Sequence, residues 1–242
     1  MLSSIPFLVV RAGQRVRRCW PSIGRRYRVA AAGLLLLSLF ASSAIGQTVG
    51  LRSLRINGAD LTYAEQGSGP LMVVVHGEDA DHRAFLPHVA ELSAVFRVVA
   101  YDQRNLGKAT WNDSWPPLSM QAQADDLAAL IDVLDAGPAH VVGYGVGGRV
   151  AQRLAISYPG KVRSLFLWEG VAPVDCLTMA RIKVPTVLSA GTRSEFAQVV
   201  DVFAPCLGSM GSIVRVRSAR HKWPYEEPSK FVALVRNFAL QH

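Results

Sequence analysis

The 242 residues are enough for one well-buried domain. A hydrophobic fraction of 50% against 18% charged residues excludes a disordered chain. The formal net charge of +8 does not mark a nucleic-acid-binding face. Seven arginines (Arg11, Arg15, Arg17, Arg18, Arg25, Arg26 and Arg28) lie within residues 1–46, which contain no Lys, Asp or Glu; subtracting them from +8 leaves +1 for residues 47–242.

The basic segment is expected to be a targeting signal. "RRYR" precedes the apolar run "VAAAGLLLLSLFASSAIG", and small residues allow cleavage after Ala44 or Gly46. That run is broken by serines and falls short of the roughly 20 apolar residues of a membrane span. Arg25-Arg26 resembles a twin-arginine export signal. The expectation is therefore an export signal over residues 1–46, or an uncleaved inner-membrane anchor, ahead of a folded domain over 47–242. The mature domain is expected to be periplasmic or secreted and to touch a membrane only through that segment if it stays attached. Cys176 and Cys206 make an even pair in an exported domain, so a bridge between them is open.

The elements follow in chain order. "LRSLRI" and "DLTYAEQG", joined by Asn57-Gly58, predict a β-hairpin. "LMVVVHG" is a short continuous apolar run, as in a strand buried on both faces. A helix over "RAFLPHVAELSAV" and a strand over "FRVVAYD" come next. "SMQAQADDLAALIDVLDAG" is a helix opening at Ser119 and stopping at Gly137. Then strand and helix alternate: "AHVVG", "GRVAQRLAISY", "VRSLFLWEG", "PTVLSAG", "SEFAQVVDVFA", "GSIVRVRS" and the closing helix "SKFVALVRNFALQ". This alternation predicts an α/β three-layer sandwich, a mostly parallel sheet with helices on both faces. Ligands then bind beyond the carboxyl ends of the strands, near His76-Gly77-Glu78, Asp102, Gly145, Glu169, Ser194 and His221.

One turn carries two readings. Gly143, Gly145 and Gly148 fit G-x-G-x-x-G, a phosphate-cradling turn, with Glu169 about where a ribose-binding acid would stand. Gly143-Tyr144-Gly145-Val146-Gly147 also fits a G-x-S-x-G nucleophile elbow whose serine is replaced by glycine. Three further segments favour the elbow. From about residue 51 onward, "VVVHGEDADHRAF", "VVAYDQRNLGKAT" and "ARHKWPYEEPSKFVALVRNF" resemble, in order, the oxyanion segment, the D-x-R-G-x-G-x-S segment and the histidine segment of the α/β-hydrolase superfamily. Asn105 and Ala109 depart from the second of these patterns.

The resemblance implies an ester or related carboxyl-derivative hydrolase acting on a small molecule, with no cofactor or metal. It implies His221 as the base and the backbone N–H groups of Val146 and Glu78 as oxyanion donors. Gly145 leaves the nucleophile position vacant, so no acyl-enzyme can form there. Tyr144, beside the apex, is expected to point elsewhere. The acid is expected from Glu169, because Ser194, followed by Glu195, stands where many members place Asp. Glu78, Asp79 and Asp81 also fit a solvated loop capping the next helix. His82, His88 and His140 are expected at the surface or sheet edge. Only about fifteen residues join the strand ending at Glu169 to the one starting near Pro185, too few for a helical lid. Three functions stay open: a water-activating hydrolase, a non-catalytic binder of a ligand or partner, and a dinucleotide-binding module.

Overall fold

The computed structural model describes residues 49–107, 119–172 and 174–242; the expected export segment and Ala109 lie outside them. Strands β1 (Gly50–Ile56) and β2 (Ala59–Gln66) form the expected hairpin, with Asn57 and Gly58 both at positive φ in the turn. The chain then lays down β3 (Leu71–Val75), β4 (Arg97–Tyr101), β5 (Ala139–Tyr144), β6 (Val162–Trp168), β7 (Thr186–Gly191) and β8 (Gly211–Val216). The eight-stranded sheet has the order β1-β2-β4-β3-β5-β6-β7-β8. The β1–β2 and β2–β4 pairings are antiparallel and all others parallel. The order reverses at β3, whose neighbours are β4 and β5. Diverging connections leave a crevice at the carboxyl ends of β3 and β5, where Glu78 and Gly145 lie.

Helices α1 (Leu86–Leu92), α2 (Met120–Leu134), α3 (Val146–Ser157), α4 (Cys176–Met179), α5 (Ala197–Phe203), α6 (Trp223–Glu226) and α7 (Pro228–Ala239) complete the fold. On one face Leu127 and Ile131 of α2 and Leu154 of α3 pack with Val73, Val141 and Leu165. On the other, Val89 of α1 and Phe231 and Val235 of α7 pack with Val74, Val142 and Phe166. Strand residues alternate between these two cores, which is why the central strands read as unbroken apolar runs. Among the described residues no helix is long and apolar enough to cross a membrane.

Boundaries shift where local chemistry outweighs periodicity. The helix expected from Arg83 starts as a 3₁₀ turn over His82–Phe85, capped by Asp81, and becomes α1 at Leu86 with Pro87 in its first turn. The connector between β6 and β7 holds only the one-turn α4, in keeping with the absence of a helical lid. Cys176, at the start of α4, is bonded to Cys206, with Cα atoms 5.0 Å apart. The bridge fastens this connector to the turn after α5.

The three histidines expected at the surface are buried. His82 Nδ1 and backbone N–H both meet Asp102 Oδ1 at 2.8 Å. His88 Nε2 donates to the Pro224 carbonyl at 2.8 Å, tying α1 to α6. His140 Nδ1 lies 2.7 Å from Ser164 Oγ, its ring against Phe96. A neutral imidazole needs only one or two partners to be satisfied in a core, so its polarity did not predict exposure.

Two outcomes follow from these contacts. Replacing Cys176 and Cys206 by serine should cost about 3–4 kcal/mol in chemical denaturation, from loop closure over a 30-residue separation. Burial, then Arg163 and His242, lower the His140 pKa from 6.5 to about 4. The unfolded chain therefore takes up this proton first, so the contribution is intact above pH 6.5 and is lost as pH falls toward 4. Denaturation of wild type and His140→Gln near neutrality and at about pH 5 should show a smaller acid-side loss in the variant.

Candidate active site

The turn between β5 and α3 is closed by glycines because other backbone fills the space. A Cβ on Gly147 would sit 2.3 Å from both the Val75 and His76 carbonyl oxygens, and one on Gly143 would sit 2.4 Å from Gly148 Cα. Gly145 at the apex has φ 54° and ψ −123°, which an L side chain adopts only under strain. Its N–H donates to the Trp168 carbonyl at 3.1 Å, which fixes the apex against the end of β6.

Beyond that strand end lies Glu169, buried and itself at φ 47°. Its Oε1 accepts from the Gly191 N–H at 2.8 Å, and its Oε2 from Ser194 Oγ at 2.7 Å and His221 Nδ1 at 2.6 Å. Ser194 thus supports the acid rather than replacing it, and Glu195 is exposed. His221 is set by four neighbours. Trp168 Nε1 donates to its carbonyl at 2.9 Å, and Trp168 in turn stacks on Trp223. The rings of Tyr144 and Phe196 pack on the imidazole at 4.9 and 5.1 Å. With Nδ1 bound to Glu169, Nε2 is the nitrogen left for proton transfer.

Tyr144 therefore belongs to the site, contrary to expectation. Its ring buttresses His221, and its hydroxyl is buried without a hydrogen-bond partner among the described residues. Burial, and then Asp79, Glu169 and Glu78, push this phenol well above its ordinary pKa, so it stays neutral.

The two expected oxyanion positions meet, though not as parallel donors. Val146 N–H donates to the Glu78 carboxylate Oε2 at 3.3 Å. The cause is local: α3 opens on unsatisfied N–H groups and the positive end of its dipole, and its N-cap, Gly145, has no side chain to offer. A Cβ at position 145 would lie 3.3 Å from Glu78 Oε2 and 4.0 Å from His221 Cε1. Carboxylate and imidazole thus flank the volume that a side chain at position 145 would enter. A second anion brought to Val146 N–H would meet Glu78. Unit charges about 4 Å apart repel by roughly 1 kcal/mol in water and about 4 kcal/mol at an effective dielectric of about 20.

Two further features have no signal in the sequence. A cavity of about 200 Å³ beside Glu169 is lined by Arg149, Val171, Phe196, Val199 and Phe203. Arg149 Nε is buried there without a partner among the described residues. Asp81, His82 and Asp102 bring ligand-type atoms within 4.8 Å of one another. Both carboxylates are already engaged, Asp81 by Arg83 Nε at 2.9 Å and Asp102 by His82.

The alpha/beta hydrolase fold family pattern matches residues 70–197. This chain belongs to that family. A 2-(acetamidomethylene)succinate hydrolase of Mesorhizobium japonicum is 37% identical over 116 residues, 47% of this chain and 40% of that protein. The chain spans less than half the length of the curated relatives it first matches, 40% and 43%. Among solved structures, a bacterial membrane phospholipase A superposes with a TM-score of 0.73 at 18% identity, covering 79% of this chain and 86% of that one. A hydrolase from Pseudomonas aeruginosa gives 0.72 at 20% identity, covering 78% and 98%. Likeness at that identity shows the fold alone. The β5–α3 turn lies within the matched residues, and its apex is a glycine.

Restoring a side chain at that apex has a measurable cost. Gly145→Ser should lower the unfolding free energy by about 1–3 kcal/mol through the positive φ. Gly147→Ala should cost more, because main-chain carbonyls on β3 cannot withdraw; thermal melts of both variants check the order.

Proposed function

We propose that this chain is a hydrolase of esters or related carboxyl derivatives that works without a serine acyl-enzyme. His221, oriented by Glu169, draws a proton from water. The observation that carries the reading is the His221–Glu169 pair at 2.6 Å, held by a buried carboxylate whose two oxygens accept three hydrogen bonds. A strained φ at Glu169 and a stacked tryptophan pair behind His221 serve the same geometry. The hydrolase named among the relatives supports this class of reaction. General-base catalysis of this kind supplies about 10²–10⁴-fold, so turnover is slow or confined to activated substrates. The apolar cavity beside Glu169 suits a short apolar group of a small-molecule substrate.

The reading calls for no cofactor. Gly143, Gly147 and Gly148 answer to close packing of the turn, and Glu169 is spent on His221, Ser194 and Gly191, which leaves no acid for a ribose. Of the three glycines of the G-x-G-x-x-G reading, Gly143 and Gly148 answer to packing and Gly145 does not, so dinucleotide binding is the less supported reading. A non-catalytic ligand-binding role is favoured by one observation, the Glu78 carboxylate on Val146 N–H. With residues 1–46 as its signal, the domain works outside the cytoplasm.

Hydrolysis of short-chain aryl esters by wild type, Gly145→Ser and His221→Ala separates these roles. Slow turnover in wild type, reduced about 100-fold or more in His221→Ala, is expected. An inert wild type beside an active Gly145→Ser would make the protein a binder, and wild-type turnover that survives His221→Ala would overturn the reading.

A further inference from the structure

The cavity beside the candidate base has a cation in its wall. We propose that this cavity is a carboxylate subsite anchored by Arg149. The substrate is then a small acyl derivative whose short apolar chain ends in a second, free carboxylate. The inference rests on the hydrolase reading above and deepens it by fixing the charge of the substrate.

Arg149 stands in the first turn of α3, and its backbone N–H donates to the Gly145 carbonyl at 3.4 Å, so it lies one helical turn beyond the apex. Its side chain lines the cavity of about 200 Å³ together with Val171, Val199 and Phe203. Glu169 and Phe196 line the same cavity. Both also hold the imidazole of His221, Glu169 through the 2.6 Å bond to Nδ1 and Phe196 through its ring at 5.1 Å. A ligand in the cavity therefore lies against the groups that position the base.

A guanidinium nitrogen buried against apolar walls has lost water and gains nothing in return until an acceptor reaches it. Arg149 Nε is in that state: it is buried and has no hydrogen-bond partner among the described residues. The carboxylate in the same wall, Glu169, is turned to Gly191, Ser194 and His221 instead. A guanidinium that served only to hold the fold would need a protein acceptor at Nε. The acceptor that fits is a carboxylate on the ligand, because the planar fork of arginine matches two carboxylate oxygens and such charge-assisted bonds are about twice as strong as neutral ones. A phosphate dianion fits less well, since one guanidinium would leave its second charge uncompensated beside Glu169. The valines and phenylalanines of the wall take carbon. The volume falls below the roughly 300–1,000 Å³ of sites for drug-sized ligands, so the chain is short.

The test gives full-length protein two esters of equal chain length, mono-4-nitrophenyl adipate and 4-nitrophenyl hexanoate, and reads kcat and KM separately. Wild type should prefer the adipate by about 10-fold or more in kcat/KM, chiefly through KM, the scale of one charge-assisted hydrogen bond. Arg149→Met, checked for its fold by circular dichroism, should erase or invert that preference, and Arg149→Lys should retain part of it. Ligand-observed NMR on wild type gives a readout that needs neither a variant nor turnover. Pentanoate should bind about 10-fold more tightly than pentan-1-ol, and more tightly than butyl phosphate. Equal use of the two esters by wild type, or a preference that survives in folded Arg149→Met, would overturn the subsite. Tighter binding of butyl phosphate would overturn its assignment to a carboxylate. If hydrolysis depends on His221 but shows no such preference, the base stands without the subsite. If neither ester is hydrolysed while pentanoate binds and Arg149→Met abolishes that binding, the subsite stands and the hydrolase reading falls.

Discussion

The close approach of β3, β5, α3 and the segment after β6 governs the end of this molecule that carries the candidate site. Main-chain atoms of Val75, His76, Gly148 and Gly170 come so near one another that only hydrogen fits at positions 143, 147 and 148. That packing sets the direction in which α3 leaves the sheet and aims its first N–H groups at the crevice between β3 and β5. Gly145, at the apex, adds no side chain to this turn and avoids the strain that one would carry there. The glycines of this turn thus have different causes: the flanking ones are sterically required, whereas the apical one is only permitted.

An N–H at the start of a helix seeks an acceptor, and here the N-cap residue, Gly145, has no side chain to provide one. Glu78 answers that demand from the loop after β3. The contact caps the first turn of α3 with a carboxylate where its own N-cap residue has no side chain. On the other side, Glu169 commits both oxygens and His221 one ring nitrogen, so that half of the site is rigid. An exposed carboxylate thus stands across from an imidazole held by a buried one.

Burial redistributes the histidines in a way their sequence context hides. His82, His88 and His140 each trade water for one or two protein partners, and the rings of His88 and His140 also pack on aromatic neighbours. His88 works at a distance from the crevice: its bond to Pro224 anchors α6, whose first residue, Trp223, stacks on the tryptophan that holds the His221 carbonyl. A chain of packed groups thus runs from α1 to the imidazole.

Much of the fold was legible in the sequence. Apolar runs of strand length, helical periodicity and Asn57-Gly58 located the hairpin, the central parallel strands and the main helices, because those signals are local. The glycine turn, His221 and Glu169 could be singled out by their places after strands, and Cys176 and Cys206 by being an even pair. Which acid reaches His221 was decided only by tertiary structure, since Glu169 and Ser194 meet across strand ends 25 residues apart. The cysteine bridge, the Tyr144 ring against His221, the burial of three histidines and the Glu78 carboxylate on Val146 N–H were decided the same way. Each depends on a distance between segments far apart in the chain, and pattern within a segment carries no such distance.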